Sequence, residues 1–304
     1  MCASKFIAAI TLFFMATLAQ AAGLRLIDIP ASADGPALKG AMWYPCAEPS
    51  GEVNLGKITV PAVKDCPLLR EKLPLVVVSH GRGGSFIGHH DTDEVLADAG
   101  FIVAAIVERP TDIKRLIDFL IGGSALASKI DQETLGFFGF SRGGYTGLVL
   151  VGANPDFASA APLCQQSRAH FCEQILRKEF PAQPLTHDPR IKAAVIVDPL
   201  TIFFTADSFA AVKVPVQLWA SERGGDGVLP HSVDLVDSNL PARHQYHVVP
   251  NAGHFAFLAP CPPALVTELA EICVDANGFD RVASHTQFDA AALAFFRTHL
   301  TNAQ

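Results

Sequence analysis

The chain has 304 residues, of which 50% are hydrophobic, 17% are charged and 9% are aromatic. This composition is too apolar for a disordered protein and is sufficient for a large buried core. The formal net charge is −7. Binding of nucleic-acid phosphates requires an excess of positive charge, so we expect no nucleic-acid partner. The length fits one large α/β domain better than two small ones.

The first 21 residues have the order of a secretory signal peptide. Lys5 gives a positive start, an apolar run extends from Phe6 to about Leu18, and small residues follow. The run is short for a membrane span, although an uncleaved anchor is the alternative. We predict cleavage after Ala21 or Ala22, export to the periplasm or the medium, and no stable membrane insertion of the mature chain.

Cleavage removes Cys2, one of seven cysteines, and leaves an even number. In an exported chain this number indicates disulfides rather than free thiols. A metal site is less favoured because no C-x-x-C pair with nearby histidines is present. The cysteines fall into three local couples, and the predicted disulfides are Cys46–Cys66, Cys164–Cys172 and Cys261–Cys273.

After the signal, strand-like segments come first and then alternate with helical ones. Two opening strands are expected at 24–30 and 37–45, and the polar segment from Cys46 to Leu73 is expected to be a loop. The later unbroken apolar runs are typical of strands buried on both faces of a parallel sheet. These strands are expected at 73–81, 101–107, 135–140, 191–199 and 214–221, and a further strand is expected at 244–249. The expected helices span 91–100, 111–123, 142–153, 262–273 and 286–300.

This alternation indicates βαβ units and a mostly parallel sheet covered by helices. No repeat, low-complexity linker or change in composition divides the chain, so we expect a single domain over residues 22–304. The polar stretch 155–190 is expected to be a cap-like insertion over one face, since loops of this kind usually cover or line a site.

Ser141 lies in the segment Gly139-Phe140-Ser141-Arg142-Gly143, which fits G-x-S-x-G between a buried strand and a helix. In that context the serine occupies the apex of a strained turn, and the glycines relieve crowding. The serine oxygen projects near a helix N-terminus, which stabilises negative charge. Ser141 is therefore the candidate nucleophile, with a purely structural Gly-Ser turn as the alternative.

A serine nucleophile needs a base and a group that orients the base. His254 is the candidate base because it follows the last expected strand in a loop of small residues. The acid is expected between Ser141 and His254 in chain order, at the end of a strand. Asp226 is preferred, Asp198 at the end of the preceding strand is the second candidate, and Glu222 is a weaker third.

An oxyanion hole requires two preorganised N–H donors. The candidates are the amide of Arg142, next to the nucleophile, and the amide of Arg82 in the glycine-rich loop 80–84. The known dinucleotide-binding and phosphate-binding glycine patterns are absent, so a phosphate-cradling loop is disfavoured. The two guanidinium groups are expected to be solvated, with attraction of an anionic substrate as the alternative.

The segment 88–94 raises the possibility of a metal site, because His89, His90 and Asp91 are adjacent. Neighbouring side chains point apart, so a single centre seldom collects all three. We therefore expect no metal at this segment.

Together these residues resemble the α/β-hydrolase superfamily, over about Leu24 to Leu300. The resemblance rests on SHGRGG, GFSRGG, DPRIKAAVIVDP, the Asp226 loop and NAGHF. Within the superfamily, the chain resembles the dienelactone-hydrolase-like proteins and the branch of platelet-activating-factor acetylhydrolases and polyester hydrolases. The resemblance implies an α/β-hydrolase fold with an eight-stranded sheet, a serine nucleophile and no cofactor.

The branches of this superfamily differ at two positions. Dienelactone hydrolases carry cysteine as the nucleophile, whereas this chain has Ser141, which favours ordinary ester hydrolysis. Acetylhydrolase-like members carry the acid at the position of Asp198, and polyester hydrolases carry it at the position of Asp226. Aspartate at both positions leaves the assignment open.

The sequence therefore predicts an exported serine hydrolase that cleaves a small-molecule ester through an acyl-enzyme. One alternative is a catalytically silent member of the same fold that serves as a binding or envelope protein. The other alternative is a lipase or a peptidase of this fold.

Overall fold

The structure is a computed structural model that describes residues 21–106, 110–165, 170–180, 185, 187–241 and 243–301. Residues 1–20 of the predicted signal peptide, including Cys2, lie outside the described residues, so its cleavage stays a prediction. In the part of the chain that the structure covers, no helix is both long enough and apolar enough to cross a membrane.

The described strands form one ten-stranded sheet. The strands are β1 (Ala22–Ile29), β2 (Leu38–Pro45), β3 (Gly51–Asn54), β4 (Thr59–Lys64), β5 (Leu73–Ser79), β6 (Ile102–Ile106), β7 (Ile130–Phe140), β8 (Ile191–Val197), β9 (Val216–Ser221) and β10 (His244–Val249). Their order across the sheet is β10-β9-β8-β7-β5-β6-β2-β1-β4-β3. Every pairing from β10 to β6 is parallel, whereas β2 joins β6 and β1 in antiparallel fashion.

The mostly parallel sheet confirms the predicted fold class, but it has two more strands than the eight that were expected. The extra strands are the hairpin β3–β4, which lies in the segment predicted to be a loop. In β4, Val60 and Ala62 are buried while Thr59 and Pro61 are exposed. This period-two pattern allows a polar segment to extend the sheet edge with one face against the core.

Helices cover both faces of the sheet. They are α1 (His90–Asp98), α2 (Pro110–Asp118), α3 (Arg142–Leu150), α4 (Ala161–Cys164), α5 (His170–Leu176), α6 (Asp234–Asn239), α7 (Pro263–Val266), α8 (Ala270–Cys273) and α9 (Arg281–Phe296). One core cluster includes Ile113 of α2 and Leu148 of α3. The other includes Leu96 of α1 and Phe288 of α9. These two clusters place α2 and α3 on one face of the sheet and α1 and α9 on the other.

The three predicted disulfides all form: Cys46–Cys66, Cys164–Cys172 and Cys261–Cys273. The third explains why the helix expected over 262–273 is interrupted. A continuous helix would place the Cα atoms of Cys261 and Cys273 about 18 Å apart, whereas the disulfide holds them at 5.6 Å. The segment instead folds into α7 and α8 with a bend at Leu269.

The described part of the stretch 155–190 contains a short 3-10 turn (Phe157–Ala160), α4 and α5. Cys164 and Cys172 lie in one small apolar cluster with Phe203. The ring of Phe203 contacts Phe157 and also Tyr145 of α3, with centroids 5.4 and 5.6 Å apart. This stretch is therefore attached to the helix that begins immediately after Ser141.

Candidate active site

Ser141 occupies the sharp turn between β7 and α3, with φ 57° and ψ −113°. This positive φ is strained for a residue other than glycine. Hydrogen bonds fix the turn: the Ser141 amide donates to the carbonyl of Val197 at 2.9 Å, and the Ser141 carbonyl accepts from Tyr145 and Leu200, each at 3.0 Å. The backbone of the candidate nucleophile is thus held in one place, and only 4% of the residue is exposed.

The glycines on either side of Ser141 are required by close packing. A Cβ atom at Gly139 would lie 2.2 Å from the carbonyl oxygen of Gly143, and one at Gly143 would lie 1.8 Å from the carbonyl oxygen of Ser79. Neither position has room for a methyl group. The G-x-S-x-G spacing therefore reflects contact between the turn, its own helix and strand β5.

The loop 80–84 lies directly against the nucleophile. A Cβ atom at Gly81 would be 3.0 Å from the Cβ of Ser141, and Gly83 has a φ of 69°. Arg82 follows Gly81, and Arg142 is the first residue of α3. Arg142 therefore adjoins Ser141 in the chain, and Arg82 adjoins the glycine that packs on Ser141. The first N–H groups of a helix, such as that of Arg142, lack intrahelical partners.

His254 begins the 3-10 turn that follows β10. Its amide donates to the carbonyl of Gly224 at 2.7 Å, and its ring stacks on Phe140 with centroids 4.6 Å apart. Phe140 immediately precedes Ser141, so this stacking brings the ring to the nucleophile turn. The imidazole is almost entirely enclosed, since the residue is 2% exposed.

Asp198, rather than Asp226, contacts His254. Its Oδ2 lies 2.6 Å from Nδ1 of the ring, and the aspartate is fully buried. The Ser221 amide donates to Oδ1 at 2.9 Å and the Ser221 hydroxyl donates to Oδ2 at 2.7 Å. These bonds satisfy a buried carboxylate and fix it behind the imidazole.

The expectation that Asp226 orients His254 is therefore corrected by the geometry. Asp226 accepts a hydrogen bond from the guanidinium of Arg82 at 2.7 Å. Glu222 accepts from the amide of Asn251 and is exposed. The physical reason is the path of the chain after β9. This loop carries Asp226 outward to Arg82, so Asp198, which directly follows β8, is the aspartate that lies behind the imidazole ring.

The two ring nitrogens of His254 have different surroundings. Nδ1 donates to Asp198, because a carboxylate is an acceptor, and Nε2 is then left with its lone pair. Nε2 is buried and has no hydrogen-bond partner among the residues described. Hydrogen bonds between a nucleophile and its base are often long in a ligand-free site. The ring is thus prepared to accept one proton on the side away from Asp198.

Two residues of this site were missed by the sequence reasoning. Ser221 holds Asp198, and its signal was a polar residue at the end of a buried strand, on the same sheet edge as the other candidates. Phe140 supports the ring of His254, and its signal was an aromatic side chain in the position before Ser141. Both positions become informative only when the neighbours in the sheet are known.

The segment 88–94 does not gather its adjacent histidines around one point. His89 packs against Phe138 with ring centroids 5.0 Å apart, and His90 pairs with Glu94. Asp91 instead approaches two residues of α9. The side-chain ligand atoms of Asp91, His285 and Asp289 lie within 4.8 Å of one another, and hydrogen bonds already join Asp91 to His285 and Thr92 to Asp289.

The sequence matches no protein-family model. No curated protein is similar enough in sequence to be counted as a relative. Among solved structures, the chain is similar to a ferulic acid esterase from Streptomyces cinnamoneus, with a TM-score of 0.65 and 18% sequence identity over 94% of this chain and 91% of that chain. At this identity the similarity shows the fold, and the chain has the α/β-hydrolase fold.

Proposed function

We propose that the chain is an exported serine hydrolase that cleaves carboxylic ester bonds, with Ser141 as nucleophile, His254 as base and Asp198 as the orienting acid. One observation carries the proposal. The buried Asp198 holds Nδ1 of His254 at 2.6 Å, and Nε2 has no other partner among the described residues. Such a ring can take the proton of a serine held at a strained turn.

In the proposed reaction, Ser141 Oγ attacks the ester carbonyl carbon while its proton passes to Nε2 of His254. The negative oxygen that forms on the carbonyl is bound by the amides of Arg82 and Arg142. The C–O bond to the alcohol breaks, and the imidazolium gives its proton to the departing oxygen. Water then attacks the acyl-enzyme with His254 again as base, which releases the acid and restores Ser141.

Two further observations support the proposal. The fold is shared with a ferulic acid esterase, a protein whose name denotes an ester hydrolase. The acid at Asp198 is at the position that the sequence resemblance associates with acetylhydrolase-like members of the superfamily. Export is supported by the signal-like first 21 residues and by three disulfides, which persist in oxidising compartments.

A fluorophosphonate probe tests the proposed nucleophile. We expect it to label the folded protein once, at Ser141, and to leave the Ser141→Ala variant unlabelled because the phosphonyl group reacts with the activated hydroxyl. The exposed Ser50 gives a matched control, and Ser50→Ala should label as the wild type does. Absence of labelling, together with no turnover of p-nitrophenyl esters, would indicate the catalytically silent alternative.

A lipase is the second candidate, and one observation favours it. Leu163 of α4 and Leu176 of α5 are 62% and 50% exposed, and both lie in the stretch 155–190 attached to α3. Exposed apolar side chains beside a site suit long acyl chains. Hydrolysis of p-nitrophenyl palmitate faster than of the butyrate would favour the lipase, and the reverse order would favour an esterase for short acyl groups.

A further inference from the structure

The side chain of Phe140 meets three parts of the candidate site. Phe140 directly precedes Ser141 in the chain. Its ring stacks on the imidazole of His254, with centroids 4.6 Å apart and an angle of 27° between the planes. A Cβ atom at Gly81, in the loop 80–84, would lie 3.2 Å from Cδ1 of the same ring. One ring therefore adjoins the nucleophile turn, the candidate base and the loop nominated for the oxyanion hole.

The stack on Phe140 supplies a constraint that the hydrogen bonds of His254 do not. The bond from Nδ1 to Asp198 fixes one atom of the imidazole at 2.6 Å, and the bond from the His254 amide to Gly224 fixes the backbone. A ring held at one atom can still turn about that atom, which would carry Nε2 away from Ser141. A base must stay within hydrogen-bond reach of the proton that it takes, and contact with the flat face of Phe140 fixes the plane of the ring.

Phe140 is itself enclosed by buried rings. The ring of His89 lies edge-on to Phe140 and to Phe138, with centroids 5.3 and 5.0 Å apart. All three residues are buried. Burial lowers the pKa of His89 to about 3, so this histidine stays neutral and adds no positive charge next to His254. The surroundings of Phe140 therefore hold it in place without opposing a charge on the imidazole.

The stacked geometry favours the charged form of the imidazole. In the proposed reaction, His254 becomes an imidazolium when it takes the proton of Ser141. The face of an aromatic ring is negative and attracts a cation that lies within about 6 Å of its centre, more strongly where water is excluded. Water is excluded here, since His254 is buried. The attraction grows as the charge forms, so it lowers the barrier of the reaction rather than strengthening substrate binding.

We propose that Phe140 is a positioning residue for the hydrolysis, whose ring fixes the plane of His254 and stabilises the imidazolium. This role rests on the proposed ester hydrolysis. Because Phe140 is 2% exposed, it acts through His254 and does not itself bind the substrate. Loss of its ring should therefore lower kcat and leave KM nearly unchanged.

Leucine substitutions at two phenylalanines of β7 test the role of the ring. Phe140→Leu should lower kcat for a p-nitrophenyl ester about thirtyfold, the scale of a cation–π interaction in a desolvated site. Phe138→Leu is the matched control, because Phe138 belongs to the same core cluster and contacts His89, but makes no ring contact with His254 among the described residues. Its kcat should stay close to that of the wild type. Equal losses of kcat in the two variants would overturn the proposal, and so would a higher KM at unchanged kcat in Phe140→Leu.

A fluorinated ring separates the charge on the aromatic face from its packing, and it serves as the test if Phe140→Leu does not fold. Pentafluorophenylalanine at position 140 nearly keeps the shape of the ring but reverses the charge on its face. We expect kcat to fall about tenfold with little change in the thermal midpoint. The same replacement at position 138 should leave kcat unaltered. Wild-type kcat with the fluorinated ring at position 140 would show that Phe140 does not stabilise the imidazolium.

An NMR measurement distinguishes failure of this role from failure of the proposed function. The proton that Nδ1 of His254 donates to Asp198 gives a downfield signal when the ring is held still, and His254→Gln identifies that signal by its loss. We expect the signal in the wild type and in Phe138→Leu, and its loss through exchange with water in Phe140→Leu. If no ester is hydrolysed and Ser141 is not labelled, the proposed function fails. A signal that persists in Phe140→Leu overturns the positioning role whether or not the protein hydrolyses esters.

Discussion

Asp198 and Asp226 follow neighbouring strands of the sheet, yet their surroundings suit them to different tasks. Asp198 is fully buried and accepts three hydrogen bonds, two from Ser221 and one from His254. Asp226 lies at the rim, where its partner Arg82 has a side chain that is 63% exposed. A buried carboxylate beside an imidazole stabilises the imidazolium that forms in the reaction, whereas an exposed ion pair contributes at most about 1 kcal/mol.

Substitution of the two aspartates separates these tasks. Asp198→Asn should lower kcat for a p-nitrophenyl ester by about 10³-fold to 10⁴-fold, because the amide favours the wrong tautomer of His254. Asp226→Asn should lower it by no more than about tenfold, the scale of an exposed ion pair. Steady-state kinetics of both variants beside the wild type provide the measurement. If kcat collapsed in Asp226→Asn while Asp198→Asn kept near-full activity, Asp226 rather than Asp198 would be the acid that orients His254.

The sequence nominated Ser141 and His254 because each has a local signal: the glycine spacing for the serine and the position after the last strand for the histidine. It preferred Asp226 over Asp198, but local pattern is a weak guide between them, since both come after buried strands that end at the same edge of the sheet. The distinction depends on where the loop after β9 travels. That path is set by contacts such as Arg82 with Asp226, which join residues far apart in the chain.

At the scale of elements, the junction of β5, β7 and α3 is the part of the fold that sets the position of Ser141, the proposed nucleophile. The helix approaches the strands so closely that Gly147 also lacks room, with a Cβ atom only 2.4 Å from the ring of Phe137. Helix α3 can therefore dock only with glycine at its contact points. The close approach brings the N-terminus of α3 to Ser141, where the peptide dipoles stabilise negative charge.

Gly143→Ala should destabilise the fold by about 3 kcal/mol or more, because the new methyl group would overlap backbone atoms that cannot move independently. Gly122→Ala is the control, since a Cβ atom there meets nothing within 4 Å. The measurement is the thermal midpoint of each purified variant with its yield of folded protein. A Gly143→Ala midpoint within about 2 °C of the wild type would contradict this account of the turn.

Elements with strong local patterns were predicted well, and those fixed by distant contacts were not. The buried runs of β5 to β9 and the helices α1, α2, α3 and α9 all carry apolar patterns that the sheet and its two cores satisfy. The hairpin β3–β4 was missed because its polar composition hides a short alternation in Thr59–Lys64. The break between α7 and α8 is not visible in the local pattern of 262–273, which is helical; only the disulfide Cys261–Cys273, with its Cα atoms 5.6 Å apart, excludes a continuous helix there.

For the molecule as a whole, a buried polar cluster joins α1 and α9 behind the His254 turn. Nδ1 of His285 lies 2.6 Å from Asp91, and its Nε2 donates to the carbonyl of Ala256 at 2.9 Å. Asp289 accepts from Thr92. Asp93 is fully buried, and neither of its carboxylate oxygens has a partner among the described residues. The cluster therefore holds more buried carboxyl groups than cations.

These surroundings move the pKa values of the cluster in opposite directions. Burial, the largest single effect, opposes charge on His285, but the hydrogen bond to Asp91 together with the negative charges of Asp91 and Asp289 outweighs burial and raises the His285 pKa. Burial also opposes charge on Asp91, yet the bond to His285 lowers the Asp91 pKa. Burial, with the nearby charge of Asp91, raises the pKa of Asp289 to about 6 and that of Asp93 well above its usual value.

The sign of the effect on stability follows from these directions. His285, Asp93 and Asp289 bind protons more tightly when folded, so their contribution is complete below their unfolded pKa values and is lost as the pH rises through the folded ones. The lowered pKa of Asp91 acts oppositely, and its contribution is lost as the pH falls below about 4. The cluster therefore supports the fold best at about pH 4, and the contributions of Asp93 and Asp289 decline as the pH rises from there towards their folded pKa values. For Asp289 alone, the shift from 3.8 to about 6 corresponds to about 3 kcal/mol.

Asp93→Asn should flatten this pH dependence, because the neutral amide has nearly the shape of the protonated carboxyl group and cannot ionise. We expect the thermal midpoint of the wild type to fall between about pH 5 and pH 8, and that of Asp93→Asn to fall by less. The control is Asp34→Asn in an exposed turn, which should follow the wild type. A general loss of stability in Asp93→Asn would not depend on pH, so it would lower the thermal midpoint equally at both pH values and would leave the difference between them unchanged. A fall as steep as that of the wild type would show that Asp93 ionises without cost and that its burial does not set the pH dependence.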